Sequence, residues 1–166
     1  MISKVFSEAT QARFAKEVAK YPADQKQSAV MACLAIVQQE SGHVSAESEK
    51  LVADYLGMAP IAVHEVTSFY NMYNQTPVGK FKLNVCTNLP CQLRDGGRAL
   101  KYLENKLGIQ MNETTPDGMF TLQQCECLGA CADSPVILVN DRTMCSFMSN
   151  DKLDQLVDGL RSSGSE

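Results

Sequence analysis

Seven cysteines stand in a chain of 166 residues, and their spacing says more than their number. Cys33 and Cys145 stand alone. Cys86 and Cys91 form a C-x4-C pair, and Cys125, Cys127 and Cys131 form a tight group holding a C-x3-C pair, Cys127 and Cys131. The two pairs are 35 residues apart. A free thiol titrates near ~8.5, so most are protonated at neutral pH until a metal displaces the proton. Four such groups on two segments read as a four-thiolate metal site. Structural zinc takes four cysteines in pairs separated by roughly two to four residues. Iron–sulfur clusters use the same donors. Spacing alone does not separate the two.

Other uses of the cysteines fit less well. A disulfide framework conflicts with the odd count, with a start, Met1 to Phe6, that carries no secretion or transit pattern, and with a length that needs no staples. A thioredoxin-type dithiol needs C-x-x-C, which does not occur. Cysteines acting as small apolar core residues are a further reading. Against it, Pro90, Gly129 and Pro135 lie in the same segments and shape loop backbone around something. Cys125 sits two residues before Cys127, on the same face of an extended strand, so it competes as a ligand. We read it as a strand-end core residue, Cys33 as helix core and Cys145 as a sheet residue. His43 in a turn and His64 on a helix read as surface or packing residues.

The cysteines need elements to hold them. Residues 7–21 carry Phe14, Val18 and Tyr21 at helical spacing, with Ser7 as N-cap and Pro22 as stop. Residues 24–40 repeat the pattern with Val30, Leu34 and Val37 before Gly42. Residues 46–56 follow a Ser45 cap, and residues 60–70 begin on Pro60. The segment 74–79 breaks the period and marks a boundary, giving a small helical domain over 1–79. From 80 to 166 the pattern changes. Phe81, Leu83 and Val85 alternate with polar residues into Cys86, a helix is predicted over 94–107, and a strand over 119–125. A loop over 126–135, a strand over 136–139, a hairpin turn at 140–142, a strand over 143–148 and a helix capped by Asn150 complete a βαβββα order. If the strands leading into the two cysteine groups are neighbours running the same way, their loops face each other. The fold class is α+β / α/β.

Composition narrows the function. Hydrophobic residues make up 45% and charged residues 20%, enough to bury a core. The net charge of −4 divides evenly at Gly79, which argues against a nucleic-acid binder. No apolar run approaches the roughly 20 residues that span a bilayer, so no direct membrane insertion is expected. No G-x-G-x-x-G follows a strand and no P-loop occurs; Gly96-Gly97 reads as flexibility at a helix entry. No catalytic set stands out on the chain.

A family resemblance rests on Cys86-Thr-Asn-Leu-Pro-Cys91-Gln-Leu-Arg94, on Glu126-Cys-Leu-Gly-Ala-Cys131 with Ser134-Pro135, and on Val66-Thr-Ser-Phe-Tyr-Asn-Met-Tyr73. Pro77-Val-Gly-Lys80, Thr114-Thr-Pro-Asp-Gly118 and Phe120-Thr-Leu122 extend it from about Tyr21 to Leu160. In these motifs the chain resembles the family of E-type [2Fe–2S] subunits of NADH:quinone oxidoreductase, respiratory complex I. The resemblance implies a thioredoxin-like ferredoxin domain behind a helical docking domain, and a [2Fe–2S] cluster on Cys86, Cys91, Cys127 and Cys131. It further implies a partner flavoprotein, of the F type, that holds FMN and NADH. Other hydrophilic-arm subunits of a proton-translocating complex carry electrons on to quinone. The implied location is peripheral, on the cytoplasmic side of the bacterial inner membrane. Related modules serve NAD-linked hydrogenases and formate dehydrogenases. Around the cluster, Leu89, Leu93 and Leu128 are expected to exclude water, Gly129 and Ala130 to offer backbone N–H groups to sulfur, and Arg94 to offset charge. Phe69, Tyr70, Met72 and Tyr73 are expected at a docking interface or in the helical core.

Overall fold

The structure is a computed structural model and describes residues 6–164. Most of the Met1–Phe6 segment read for targeting signals therefore lies outside the described residues. The chain divides into two compact units, one ending at Pro77 and one beginning at Val78.

The first unit is helical. Helix α1 (Glu8–Val18) starts where Ser7 Oγ accepts the Thr10 N–H at 3.1 Å, and ends three residues before Tyr21. The single helix expected over 24–40 is instead a 3-10 turn, Lys26–Ala29, followed by α2 (Val30–Ser41). Gly42 closes α2 in the left-handed conformation, its N–H donating to Gln38 O at 2.8 Å. Helices α3 (Ala46–Leu56) and α4 (Pro60–Phe69) complete the unit. Phe14, Cys33, Leu34, Val37, Val52, Leu56 and Val63 form its core. One buried carboxylate crosses it: Glu49 on α3 accepts from Thr67 Oγ1 and pairs with His64 Nδ1 at 3.0 Å. His64 is thus a surface residue with a partner fifteen positions away. Tyr73 is a core residue as well; its hydroxyl donates to Met31 O at 2.9 Å. Phe69, Tyr70 and Met72 are exposed.

The second unit is a four-stranded sheet in the order β2-β1-β3-β4, with helices on one face. Strands β1 (Phe81–Cys86) and β2 (Phe120–Cys125) are parallel neighbours. Strands β3 (Ile137–Val139) and β4 (Thr143–Cys145) add an antiparallel hairpin at the other side of β1. Asn140 and Asp141 turn that hairpin at φ 50° and 55°. β4 stops at Cys145, short of the expected 148, because Phe147 adopts φ 54° and the chain then donates from Phe147 N–H to Asp133 O and from Met148 N–H to Pro135 O. A four-residue helical turn, α5 (Leu89–Gln92), precedes α6 (Gly96–Leu107), and α7 (Asn150–Gly164) ends the described chain. The cap of α7 is Ser149, whose Oγ accepts the Lys152 N–H at 3.4 Å and whose carbonyl accepts the Leu153 N–H. Asn150 instead accepts a hydrogen bond from Arg98.

Alternation sorts the strand residues onto two faces. Leu83, Val85, Phe120, Leu122, Ile137 and Val139 meet Ala99, Leu103 and Leu107 of α6 and Leu153 and Val157 of α7. The other face carries Lys82, Asn84 and Thr121, all buried, and ends at Cys86 and Cys125. Lys82 pairs with Asp141 at 2.7 Å, and Asn84 Nδ2 donates to the same carboxylate at 2.7 Å.

Candidate metal centre

The site is built at one end of the sheet. β1 and β2 run in the same direction and in register, Cys86 opposite Cys125, so the chain leaves both strands at one end of the sheet. Strand neighbours lie about 4.8 Å apart, which brings the two following loops alongside each other. Backbone and side-chain hydrogen bonds tie them. Thr87 N–H donates to Cys125 O at 3.3 Å, Asn88 Nδ2 to Glu126 Oε2 at 2.8 Å, and Ser134 Oγ to Cys91 O at 3.4 Å.

The first loop holds its cysteines deep. Cys86 and Cys91 are each 1% exposed and pack with Cys125, Val136, Leu128 and Ala130. Pro90 in the first turn of α5 suits a helix start, and the turn folds Cys91 back toward Cys86. The two thiols are close enough to influence each other's titration. Burial raises the Cys86 thiol above its ordinary range; the backbone N–H groups of Asn88 and Leu128, aimed at the sulfur, work against that rise. Leu128 belongs to the second loop, so the backbone of one loop acts on a sulfur of the other.

The second loop lies at the rim. Cys127 is exposed and Cys131 half-buried; the neighbouring Cys127 thiol first, then burial, raises the Cys131 thiol. Gly129, at φ 74°, turns the chain between them and donates its N–H to Cys127 Sγ at 3.4 Å. A 3-10 turn, Cys131–Asp133, follows within the segment expected to be plain loop. The thiols thus form two neighbouring pairs, one buried and one at the surface. Among the described residues, no group of three His, Cys, Asp or Glu side chains is arranged to hold a single metal ion.

The structure gathers Cys86, Cys91, Cys127 and Cys131 on these two facing loops, and it also places Cys125 beside Cys86. Burial, together with the neighbouring Cys86, pushes the Cys125 thiol up to about 12. Cys33 is core of the helical unit, likewise pushed up by burial, to about 11. Cys145 is on β4.

Two expectations fail. Leu89 and Leu93 do not cover the site: they are 69% and 78% exposed, because the α5 turn buries Cys91 and sends its flanking leucines outward. Only Leu128 of the three packs against the cysteine cluster. Gly96 is not a point of flexibility. A Cβ there would lie 2.8 Å from Cys86 O and 2.9 Å from Cys91 O, so the start of α6 rests directly on the backbone of the first loop. The Gly-Gly pair at a helix start was the available signal. Asp95 just before it, at φ 67°, makes the sharp entry. Arg94, expected to offset charge, reaches the second loop, where Nη1 donates to Ala132 O at 2.8 Å and Cys131 O at 3.3 Å.

A metal group fits this arrangement. The donors are soft and paired, Cys127 Sγ already accepts the Gly129 N–H, and glycine keeps side-chain bulk away from the carbonyls behind the first pair. A mixed sheet with cysteines at the ends of two parallel strands, in a unit that follows a helical one along the chain, defines a protein of thioredoxin-like build with paired thiols at one end of its sheet. The profile of the family described as "Thioredoxin-like [2Fe-2S] ferredoxin" matches residues 14–161. The chain belongs to that family, and a [2Fe–2S] cluster is its cofactor.

Named relatives agree. The chain is 42% identical over 137 residues to "NADH dehydrogenase [ubiquinone] flavoprotein 2, mitochondrial" of Dictyostelium discoideum, covering 82% of this chain and 56% of that protein. It is 41% identical over 143 residues to "NADH-quinone oxidoreductase subunit 2" of Thermus thermophilus, covering 86% and 79%. It is 39% identical over 145 residues to the E-type subunit of the NADH-quinone oxidoreductase of Rickettsia conorii, covering 87% and 86%. The chain thus spans little more than half of the Dictyostelium relative and most of the bacterial ones. Among solved structures, an NAD+-reducing [NiFe]-hydrogenase in its H2-reduced state superposes with a TM-score of 0.65 at 19% identity, over 78% of this chain and 22% of that one, a likeness of fold. Among the described residues, no helix is long and apolar enough to cross a membrane.

Proposed function

We propose that this chain is the E-type electron-transfer subunit of a proton-translocating NADH:quinone oxidoreductase, with its [2Fe–2S] cluster held by Cys86, Cys91, Cys127 and Cys131. The observation that carries this reading is the parallel register of β1 and β2, since it sets the two cysteine loops side by side. When bound, the cluster supplies a one-electron couple, and full thiolate ligation leaves no open iron position for a substrate. The chain's own residues do the rest. Cys86 and Cys91 anchor the buried side, and Cys127 and Cys131 present the other side at the surface. The Gly129 and Leu128 N–H groups lower the cost of added negative charge on sulfur.

Electrons are exchanged with FMN on a partner flavoprotein that oxidises NADH, and reach quinone through other subunits of the hydrophilic arm. The names of the relatives support this assignment. The division into a helical docking domain over 1–79 and a ferredoxin domain over 80–166 belongs to the same reading, as does a peripheral place on the cytoplasmic face of the inner membrane. Exposed Cys127 suits an approach of the flavin from that side. The test is co-purification from the native host followed by NADH addition under argon. A flavoprotein partner and an NADH-induced two-iron EPR signal are expected. Co-purification with a hydrogenase or formate dehydrogenase instead, or no reduction by NADH, overturns the assignment to complex I.

A further inference from the structure

Arg94 is the residue the sequence leaves least defined and the structure ties most specifically. It follows the buried cysteine pair on the first loop, its own N–H donating to Cys91 O at 3.0 Å. Its guanidinium spans to the second loop and donates from one nitrogen to two successive carbonyls, Ala132 O and Cys131 O. Those carbonyls lie on the 3-10 turn Cys131–Asp133, and Cys131 O otherwise takes the Ser134 N–H at 3.4 Å, the limit of a useful bond. The ends of the second loop are held elsewhere, by Asn88 on Glu126 upstream and by Phe147 on Asp133 and Met148 on Pro135 downstream. Between these ties lies the stretch that carries Cys127 and Cys131. A guanidinium stays charged and its hydrogen bonds to carbonyls are charge-assisted.

We infer that Arg94 is a positioning residue: it clamps the surface cysteine loop to the buried one and holds a fixed positive charge beside Cys131. It does so through the backbone, touching no sulfur. The charge and the clamp separate by substitution. Arg94→Gln keeps a nitrogen donor without charge, Arg94→Lys keeps charge on a different head group, and Arg94→Ala removes both.

The clamp is tested without reference to the cluster, by hydrogen exchange of the amides of residues 128–134 in the full chain. Both bonds are solvent-exposed, so their loss raises local opening severalfold, up to about tenfold. Arg94→Ala is expected to show that rise within 128–134 and none in β1 or α6. The charge is tested on the cluster-loaded chain, and that arm rests on the function proposed above. There, Arg94→Ala and Arg94→Gln shift the midpoint potential more negative, and Arg94→Lys returns it toward wild type. A merely structural residue would not give rescue by charge. If the wild-type chain carries no two-iron spectrum, the proposed function fails while the exchange result still stands or falls alone. Should Arg94→Ala not load, Arg94→Gln gives the same potential reading. Unchanged exchange in 128–134, or potentials that do not follow the charge across the three variants, overturns the inference.

Discussion

Replacing Gly96 with alanine places a methyl carbon 2.8 Å from Cys86 O, 2.9 Å from Cys91 O and 3.0 Å from Cys91 C. All three are backbone atoms, so no rotamer change relieves the contact. Either α6 lifts from the first loop or the loop carrying Cys86 and Cys91 moves. Overpacking of this kind costs about 1–3 kcal/mol. Against it stands the helix-propensity gain of alanine over glycine, at most about 1 kcal/mol. Gly96 opens α6, where that gain is smallest, so the net expectation is a loss of about 1–2 kcal/mol, or a fall of about 5–15 °C in the melting temperature of a unit this size. Gly159 is the matched control. It lies within α7 with nothing within 4 Å of a built Cβ, so Gly159→Ala feels only the propensity gain of up to about 1 kcal/mol. Both variants are melted anaerobically with the cluster present, and visible absorbance is followed together with far-UV circular dichroism. Gly96→Ala is expected to melt lower and bleach earlier than wild type, and Gly159→Ala to melt higher. A Gly96→Ala protein as stable as wild type and bleaching with it would refute the close approach of α6 to the cysteine loop.

The other predictions concern ligands and buried polar groups. Cys91→Ala is expected to abolish the two-iron EPR signal and Cys125→Ala to leave it largely intact; the reverse pattern in iron analysis would exchange their roles. Thr67→Val removes the hydroxyl that donates to buried Glu49, and is expected to cost about 1–3 kcal/mol in denaturant unfolding of the helical unit. Asp141→Ala takes the carboxylate from buried Lys82 and from Asn84; since Asp141 is part-exposed, the expected loss is about 3 kcal/mol, the low end for breaking a buried pair. Lys106 first, then the Tyr102 hydroxyl, hold the Asp154 carboxyl below the usual carboxylate range. A carboxylate lowered on folding contributes stability above its unfolded pKa and loses it as pH falls through the folded one. The difference between wild type and Lys106→Met in thermal melts is therefore expected at neutral pH and should shrink in acid; a difference that grows in acid contradicts it.

What the sequence made legible follows from locality. The period-2 run into Cys86, the strand into Cys125 and most of the helical stripes depend on residues close in the chain, and they lie close to where the sequence pattern puts them. Cap residues with a single dominant role, Ser7, Gly42 and Ser45, also read correctly. The facing of the two loops could only be posed as a condition, because parallel pairing joins strands 39 positions apart. Leu89 and Leu93 were misassigned because leucine next to a metal loop looks like shielding, and only the α5 turn, signalled by Pro90 two residues after Asn88, reverses their direction. Tyr73 was ambiguous for a similar reason: its core position depends on a carbonyl of α2, 42 residues away. Gly96 and Arg94 act on backbone atoms, which every residue has, so no pairing of residue types announces them.

Low-temperature EPR of the anaerobically purified, dithionite-reduced chain, with iron and acid-labile sulfide counted on the same sample, bears most directly on the two facing thiol pairs. The expected result is a brown protein with about two irons and two sulfides per chain, giving on reduction a spin-half signal near one spin per chain. A colourless protein holding one zinc, with no signal after reduction, would contradict the iron–sulfur centre and with it the electron-transfer role.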